Sequence, residues 1–185
     1  MKAVCQAKTF TLKNGCQITT REACATDAKS LIEYMHQVSA ESDNIGWGAG
    51  EFNISLEEEE NILASRVNDP HKILLLALYN GEVVCTCGLD GKNRPRMRHS
   101  TSLGITVRKS HWGVGLGRIM MNELINWARS TGFITQIELS VRTSNLRAVQ
   151  LYLTCGFEFQ HRITRDLLIG GDYVDCYAMR LLLQP

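Results

Sequence analysis

Ala28, Leu31, Ile32, Met35 and Val38 recur at three- and four-residue intervals. This spacing predicts a helix from about Thr26 to Glu41 with one apolar face. Ser55-Leu56-Glu57-Glu58 has the form of a capping box, Ser55 at the cap and Glu58 three residues on, and predicts a second helix to about Val67. The run from Glu57 to Glu60 therefore reads as a first turn that offsets the helix dipole rather than as a metal site. Between these helices, Glu41 to Asn44 and Gly46 to Gly50 read as a polar turn. Phe10 to Leu12 and Gln17 to Arg21, split by Asn14-Gly15, predict a hairpin. Lys72 to Tyr79 and Glu82 to Leu89, turning at Asn80-Gly81, predict another, with a strand from Arg96 to Val107 after it. An amphipathic helix follows from about Leu116 to Ser130, then a strand from Gln136 to Arg142 and a short helix opening at Asn145. Strands from Phe157 to Leu167 and Tyr173 to Leu182, joined at Gly170-Gly171, close the chain. The order predicts an α/β (α+β) domain. Its mixed, mostly antiparallel twisted sheet carries helices on both faces and one central βαβ crossover.

The crossover contains the most informative stretch, Val107-Arg108-Lys109-Ser110-His111-Trp112-Gly113-Val114-Gly115-Leu116-Gly117-Arg118. An apolar strand feeds a glycine-spaced turn that opens into a helix. That geometry binds phosphate, because glycine lets the backbone approach an anion and the first helical N–H groups point at it. A nucleotide P-loop needs Lys-Ser/Thr after the last glycine, and Arg118-Ile119 stands there instead. A dinucleotide fingerprint needs a third glycine where Arg118 stands. Glu138, near the count for a ribose-binding acid, begins its strand instead of ending it. The remaining reading is a seat for the pyrophosphate arm of coenzyme A, which the loop alone does not settle.

Thirty residues later, Asn145-Leu146-Arg147-Ala148-Val149-Gln150-Leu151-Tyr152-Leu153-Thr154-Cys155-Gly156-Phe157 reads as a helix with Asn145 as N-cap and Gly156 past its C-terminus. With the glycine loop, this segment resembles the GNAT superfamily of N-acetyltransferases. Members carry Q/R-x-x-G-x-G/A at the pyrophosphate turn and often N-x-x-A-x-x-x-Y-x-x-x-G-F after it. The chain matches the second pattern at Asn145, Ala148, Tyr152, Gly156 and Phe157. It matches the glycines of the first but has Trp112 in place of Gln or Arg, which removes a side-chain donor. The resemblance covers about residues 16 to 183 of a single domain spanning 1–185, with sharp motifs from 99 to 157.

The resemblance implies acetyl transfer from acetyl-CoA, as cosubstrate and with no metal, straight to a primary amine of a small molecule or a peptide N-terminus. The strands ending in Val107 and Arg142 would splay, exposing Ile105, Thr106 and Val107 to the pantetheine arm. An N–H in the Leu103 to Ile105 region would polarise the thioester carbonyl. Gly113, Val114, Gly115, Leu116, Gly117 and Arg118 would seat the pyrophosphate, and Asn145 would bond the arm or the strand end. Tyr152 would donate a hydrogen bond to the leaving sulfur. Relatives often carry a glutamate on the strand before the loop, but His99-Ser100-Thr101-Ser102-Leu103 has no carboxylate. Glu41, Asp43, His99 or water then remain as routes for the amine's proton. The alternative is a non-catalytic acyl-CoA-binding regulatory module on the same fold.

Composition narrows the partners. A net charge of +1 gives no bulk field for nucleic acid or an anionic membrane. Arg94, Arg96, Arg98, His99, Arg108 and Lys109 form a local basic cluster, either a solvated hairpin rim or an attractor for coenzyme phosphates. No apolar run reaches the ~18 residues of a membrane span, and the N-terminus lacks a secretory pattern. Seven scattered cysteines read as reduced thiols of a cytoplasmic protein, and Cys85-Thr86-Cys87 is too tight for a zinc pair. The expected partner is the amine acceptor, without nucleic acid or membrane, and a homodimer is compatible with the sequence.

Overall fold

Eight strands form one sheet in the order β1-β2-β3-β4-β5-β6-β8-β7 in the computed structural model, which describes residues 2–92 and 94–183. The strands are β1 (Lys8–Thr11), β2 (Gln17–Glu22), β3 (Lys72–Tyr79), β4 (Glu82–Gly91), β5 (Ser100–Val107), β6 (Gln136–Arg142), β7 (Glu158–Ile169) and β8 (Asp172–Leu182). The helices are α1 (Ala28–Glu41), α2 (Leu56–Asn68), α3 (Leu116–Ser130) and α4 (Leu146–Thr154). Every neighbouring pair is antiparallel except β5 and β6, which α3 joins as the crossover.

Each helix pair has its own core. Leu31, Tyr34, Met35, Val38 and Leu63 of α1 and α2 pack on Leu76 and Val83. On the other face Leu116, Met120, Met121 and Leu124 of α3 lie against Ile73, Leu75, Cys85 and Cys87. These α3 side chains are fully buried, worth about 1.5–3 kcal/mol each by transfer from water. The capping box forms as expected: Ser55 Oγ accepts from the Glu58 N–H at 3.2 Å and Glu58 accepts from the Ser55 N–H at 2.9 Å.

The strand expected from Arg96 begins later, at Ser100. Residues 94–99 are turn, with the Met97 N–H on the Arg94 carbonyl (2.8 Å) and the Ser100 N–H on the Met97 carbonyl (3.0 Å). Local turn bonds satisfy this basic segment, so it has no need of a ladder partner. The turn also divides the basic cluster. Arg94 to His99 sit at the start of β5, whereas the glycine loop follows its end, about 25 Å away along an eight-residue strand. Arg108 and Lys109 alone of that cluster stand at the loop.

Candidate active site

β5 and β6 pair over three positions, Ser100↔Gln136, Thr101↔Ile137 and Ser102↔Glu138. Beyond them the strands part. β5 stays on β4 through Val107↔Cys85, and β6 stays on β8 through Arg142↔Cys176. The result is a fork whose arms each have one unpaired edge. Backbone parity identifies the groups on those edges. The Arg108 N–H bonds the Val84 carbonyl (3.0 Å), so Arg108, Thr106 and Gly104 face β4, and Val107 and Ile105 face the gap. The Thr143 N–H bonds the Asp175 carbonyl (3.0 Å), so Ser140 and Arg142 face the gap from β6. Leu103 adjoins the last paired position. The first β5 residue with no strand opposite is Ile105, which narrows the expected Leu103 to Ile105 region. Thr106 holds the gap's shape without facing it. Its hydroxyl lies 2.9 Å from that of Tyr34 and 2.7 Å from that of Thr86.

The open end of the fork meets the glycine loop. Gly113 and Gly115 have φ of +79° and +92°, which L side chains rarely adopt, and a Cβ on Gly113 would meet nothing within 4 Å. Gly115 caps α3 without a side-chain bond, and the first helical bond runs from the Ile119 N–H to the Gly115 carbonyl (3.2 Å). Among the described residues the N–H groups of Leu116, Gly117 and Arg118 therefore have no partner, as an anion seat requires. Gly117 serves packing, since its Cβ position lies 3.1 Å from Leu151 of α4. Arg118 is exposed beside this turn. Lys13, which sequence reasoning passed over, reaches the same place. Its N–H bonds the Val114 carbonyl (3.1 Å) and its stem lies 3.7 Å from the Cβ position of Gly115. Nothing local in the sequence marks Lys13, because the hairpin between β1 and β2 delivers it.

α4 closes the fork on the α3 side. Asn145 Oδ1 accepts from the Ala148 N–H (3.2 Å) as the predicted cap, which leaves its amide nitrogen for another partner. Gly156, φ +90°, completes a Schellman turn: its N–H bonds the Leu153 carbonyl and the Phe157 N–H bonds the Tyr152 carbonyl, both at 3.0 Å. This turn fixes Tyr152, 7% exposed, with its ring 5.8 Å from that of Phe157. Among the described residues its hydroxyl has no hydrogen-bond partner, yet it is not one of the sealed, unpartnered polar atoms, so it reaches accessible surface. Burial, aided by the neighbouring Cys87 and Cys155, pushes its phenol well up, so it stays protonated and able to donate.

Glu41, Asp43 and His99, considered for the proton, do not gather here. Glu41 is bound at the end of β5, to Arg108 Nε (3.1 Å) and the Lys109 N–H (2.6 Å). His99 precedes β5, about 20 Å along the strand from Ile105. Asp43 is exposed, and its carbonyl takes the Arg142 guanidinium at 2.7 Å. It shares a cleft of about 210 Å³ with Ile45, Gly48, Glu51, Leu167 and Leu168, between the α1–α2 loop and the β7–β8 tip. Two further carboxylates face the fork from the side opposite α4. Asp166 accepts from Ser140 Oγ (2.8 Å). Glu138, at the fork's last pair, is bound by Lys92 (2.9 Å) and Arg180 (3.3 Å), and the Lys92 bond holds its carboxyl below the usual range. Strand register places Glu138, and the break in β7–β8 register between Ile163 and Leu167 places Asp166, relations no sequence spacing shows.

Comparison with known proteins agrees with this geometry. The model of the acetyltransferase (GNAT) family matches residues 32–157, a span that contains the fork, the glycine loop and α4. The chain belongs to the GNAT family. The L-amino acid N-acetyltransferase of Escherichia coli is 34% identical over 109 residues, covering 57% of this chain and 65% of that relative. The chain thus spans just under two thirds of that relative's length. A GNAT acetyltransferase from Streptococcus pneumoniae superposes with a TM-score of 0.87 at 30% identity, covering 90% of this chain and 99% of the other. YncA from Salmonella typhimurium, solved with its cofactor acetyl-CoA, shares the fold with a TM-score of 0.78 at 20% identity, covering 90% and 94%. Among the described residues of this GNAT chain, no cluster of three or more His, Cys, Asp or Glu could hold a metal ion. No helix among them is long and apolar enough to cross a membrane.

Proposed function

We propose that the chain is an acetyl-CoA-dependent N-acetyltransferase that acts on the primary amine of a small molecule by direct transfer. The fork carries this reading. It offers unpaired backbone groups along two edges and ends at an uncapped, glycine-rich helix start. Residues 102 to 107 span about 16 Å of extended strand, room for a pantetheine-length arm with its phosphates at the loop. The loop N–H groups would hold the pyrophosphate, and the edges at Ile105, Ser140 and Arg142 with the Val107 N–H would hold the arm, the Val107 carbonyl being taken by Trp112. When bound, the coenzyme supplies an activated acetyl thioester. In this reading the Ile105 N–H would stabilise charge on the acetyl oxygen as the amine attacks, and the Tyr152 hydroxyl would donate toward the sulfur as it leaves. The carboxylates of Asp43 and Glu51 in the neighbouring cleft suit an acceptor that arrives as an ammonium ion, beside apolar Ile45 and Leu167. The similarity to an L-amino acid N-acetyltransferase supports a small acceptor. Bound at the end of β5, Glu41 acts as a clamp, and water carries the acceptor's proton.

A thiol-release assay with acetyl-CoA and a panel of amino acids, polyamines and peptides tests the reading. Amine-dependent release of one thiol per acetylated product supports it. Tight acetyl-CoA binding with no turnover on any amine would favour the acyl-CoA-binding module instead.

A further inference from the structure

Trp112 stands where relatives place a Gln or Arg donor, and the fold sets an arginine on top of it. The Arg147 guanidinium lies over the Trp112 ring, 4.7 Å from its centroid. The ring is fixed at its edge, because Trp112 Nε1 donates to the Val107 carbonyl at 2.8 Å. The stack joins the glycine loop to α4 beside the end of β5. Helix geometry agrees: Leu151 of α4 touches the first turn of α3 at Gly117, and Arg147, four residues earlier, lies on the same face one turn nearer the loop.

Two features set Arg147 apart from an ordinary surface arginine. Among the described residues it makes no ion pair or hydrogen bond. It also occupies the second position of α4, where a cation opposes the helix dipole. Its position costs α4 stability and answers no anion of the protein. A guanidinium seated over an aromatic face keeps its N–H donors available, the arrangement that binds phosphate oxygens.

We propose that Arg147, held on Trp112, is a further charged donor for the coenzyme pyrophosphate, supplying from α4 the side-chain contact that position 112 itself lacks. This rests on the reading of the fork as the acetyl-CoA site and names a further binding residue for it. The stack pre-orients a side chain that would otherwise lose rotamer freedom on binding, so charge and aromatic ring act as one unit.

Calorimetry with acetyl-CoA and with its 3′-dephospho form tests the assignment, without recourse to activity. Arg147→Ala is expected to raise the dissociation constant of both by about tenfold or more, by the same factor, with the melting temperature unchanged or higher. Arg147→Lys keeps the charge but not the flat face, and should recover only part of the loss. In a Trp112→Leu background the effect of Arg147→Ala should shrink, since the two residues act together. Equal affinity of Arg147→Ala and wild type for acetyl-CoA would overturn the proposal while leaving the fork reading intact. A loss confined to the 3′-phosphorylated form would overturn the pyrophosphate assignment. Failure of the wild-type chain to bind acetyl-CoA at all would sink the fork reading itself.

Discussion

The hydroxyl of Tyr34 on α1 lies 2.9 Å from that of Thr106 on β5, which lies 2.7 Å from that of Thr86 on β4. This chain of three ties the β5 arm of the fork to a helix and to its neighbouring strand. Burial pushes the Tyr34 phenol well up, so it is neutral at any working pH. Tyr34→Phe removes one link and leaves Thr106 its bond to Thr86. The expected cost is about 1 kcal/mol, or roughly 2–4 °C in Tm. If the chain holds Ile105 in place, kcat should fall severalfold while the acetyl-CoA dissociation constant barely moves. An unchanged kcat at reduced Tm would limit Tyr34 to packing.

The glycine loop calls for a paired substitution. Gly115 has φ +92°, so any L residue there strains the α3 cap by about 1–2 kcal/mol. Gly115→Ala carries that strain alone, and Gly115→Glu adds a carboxylate where phosphate should sit. Both variants should melt several degrees low, but only the glutamate should abolish acetyl-CoA binding in calorimetry. Equal affinity of the two folded variants would remove the loop from the binding site.

Tyr152→Phe tests the leaving-group role. The hydroxyl has no partner within the described chain, so removing it should leave Tm level or slightly raised. Acetyl-CoA affinity should stay within a fewfold of wild type, because charge reaches sulfur only as the thioester breaks. The expected fall in kcat is about 10²-fold, the low end for a positioned acid. Turnover at the wild-type rate, with chemistry rate-limiting, would make Tyr152 a packing residue and water the proton source.

Acid stability has an identifiable source. Arg21 grips Asp27 with two bonds of 2.6 Å, and the Asp27 carboxyl also takes the Cys24 N–H at 2.9 Å. The Arg21 bond, above the rest, holds the Asp27 pKa below its ordinary value. The stabilisation is therefore full above the unfolded aspartate range, near pH 4–5. It is lost as pH falls through the lower folded value. Arg21 is 32% exposed, so breaking the pair with Arg21→Gln should cost about 1–2 kcal/mol at pH 7, less than a sealed pair would. Melts from pH 3 to pH 7 should show a flatter acid limb in the variant. Parallel limbs would place the acid sensitivity elsewhere.

Periodicity and end signals reveal most of the fold, because capping and turn chemistry are local. Ser55 and Asn145 each open a helix, and Gly156 ends one, where the sequence predicts. The strand start at Arg96 misleads, because a basic stretch leading into an apolar run looks like its continuation until the turn bonds at Arg94 and Met97 are seen. The loop and α4 residues are legible for the same local reason. Lys13, Asp166 and Glu138 are not, since a hairpin, a break in the β7–β8 register and the β5–β6 register respectively bring them to the fork. The parity that turns Ile105 toward the gap and Thr106 away from it also depends on partner strands, which no single-chain pattern encodes.

Three paired positions hold the two halves of the sheet together at the fork. Mechanically, β1 to β5 form one plate and β6 to β8 another, joined by a short seam and by the helices laid across it. A ligand seated along both free edges would act as the missing rung of this ladder and stiffen the joint between the plates. Amide hydrogen exchange at Ile105, Val107, Ser140 and Arg142 would then slow together upon ligand binding, while amides deep inside either plate hardly change. The fork is thus also a line of short pairing between the two plates, and a ligand seated along it would complete the sheet.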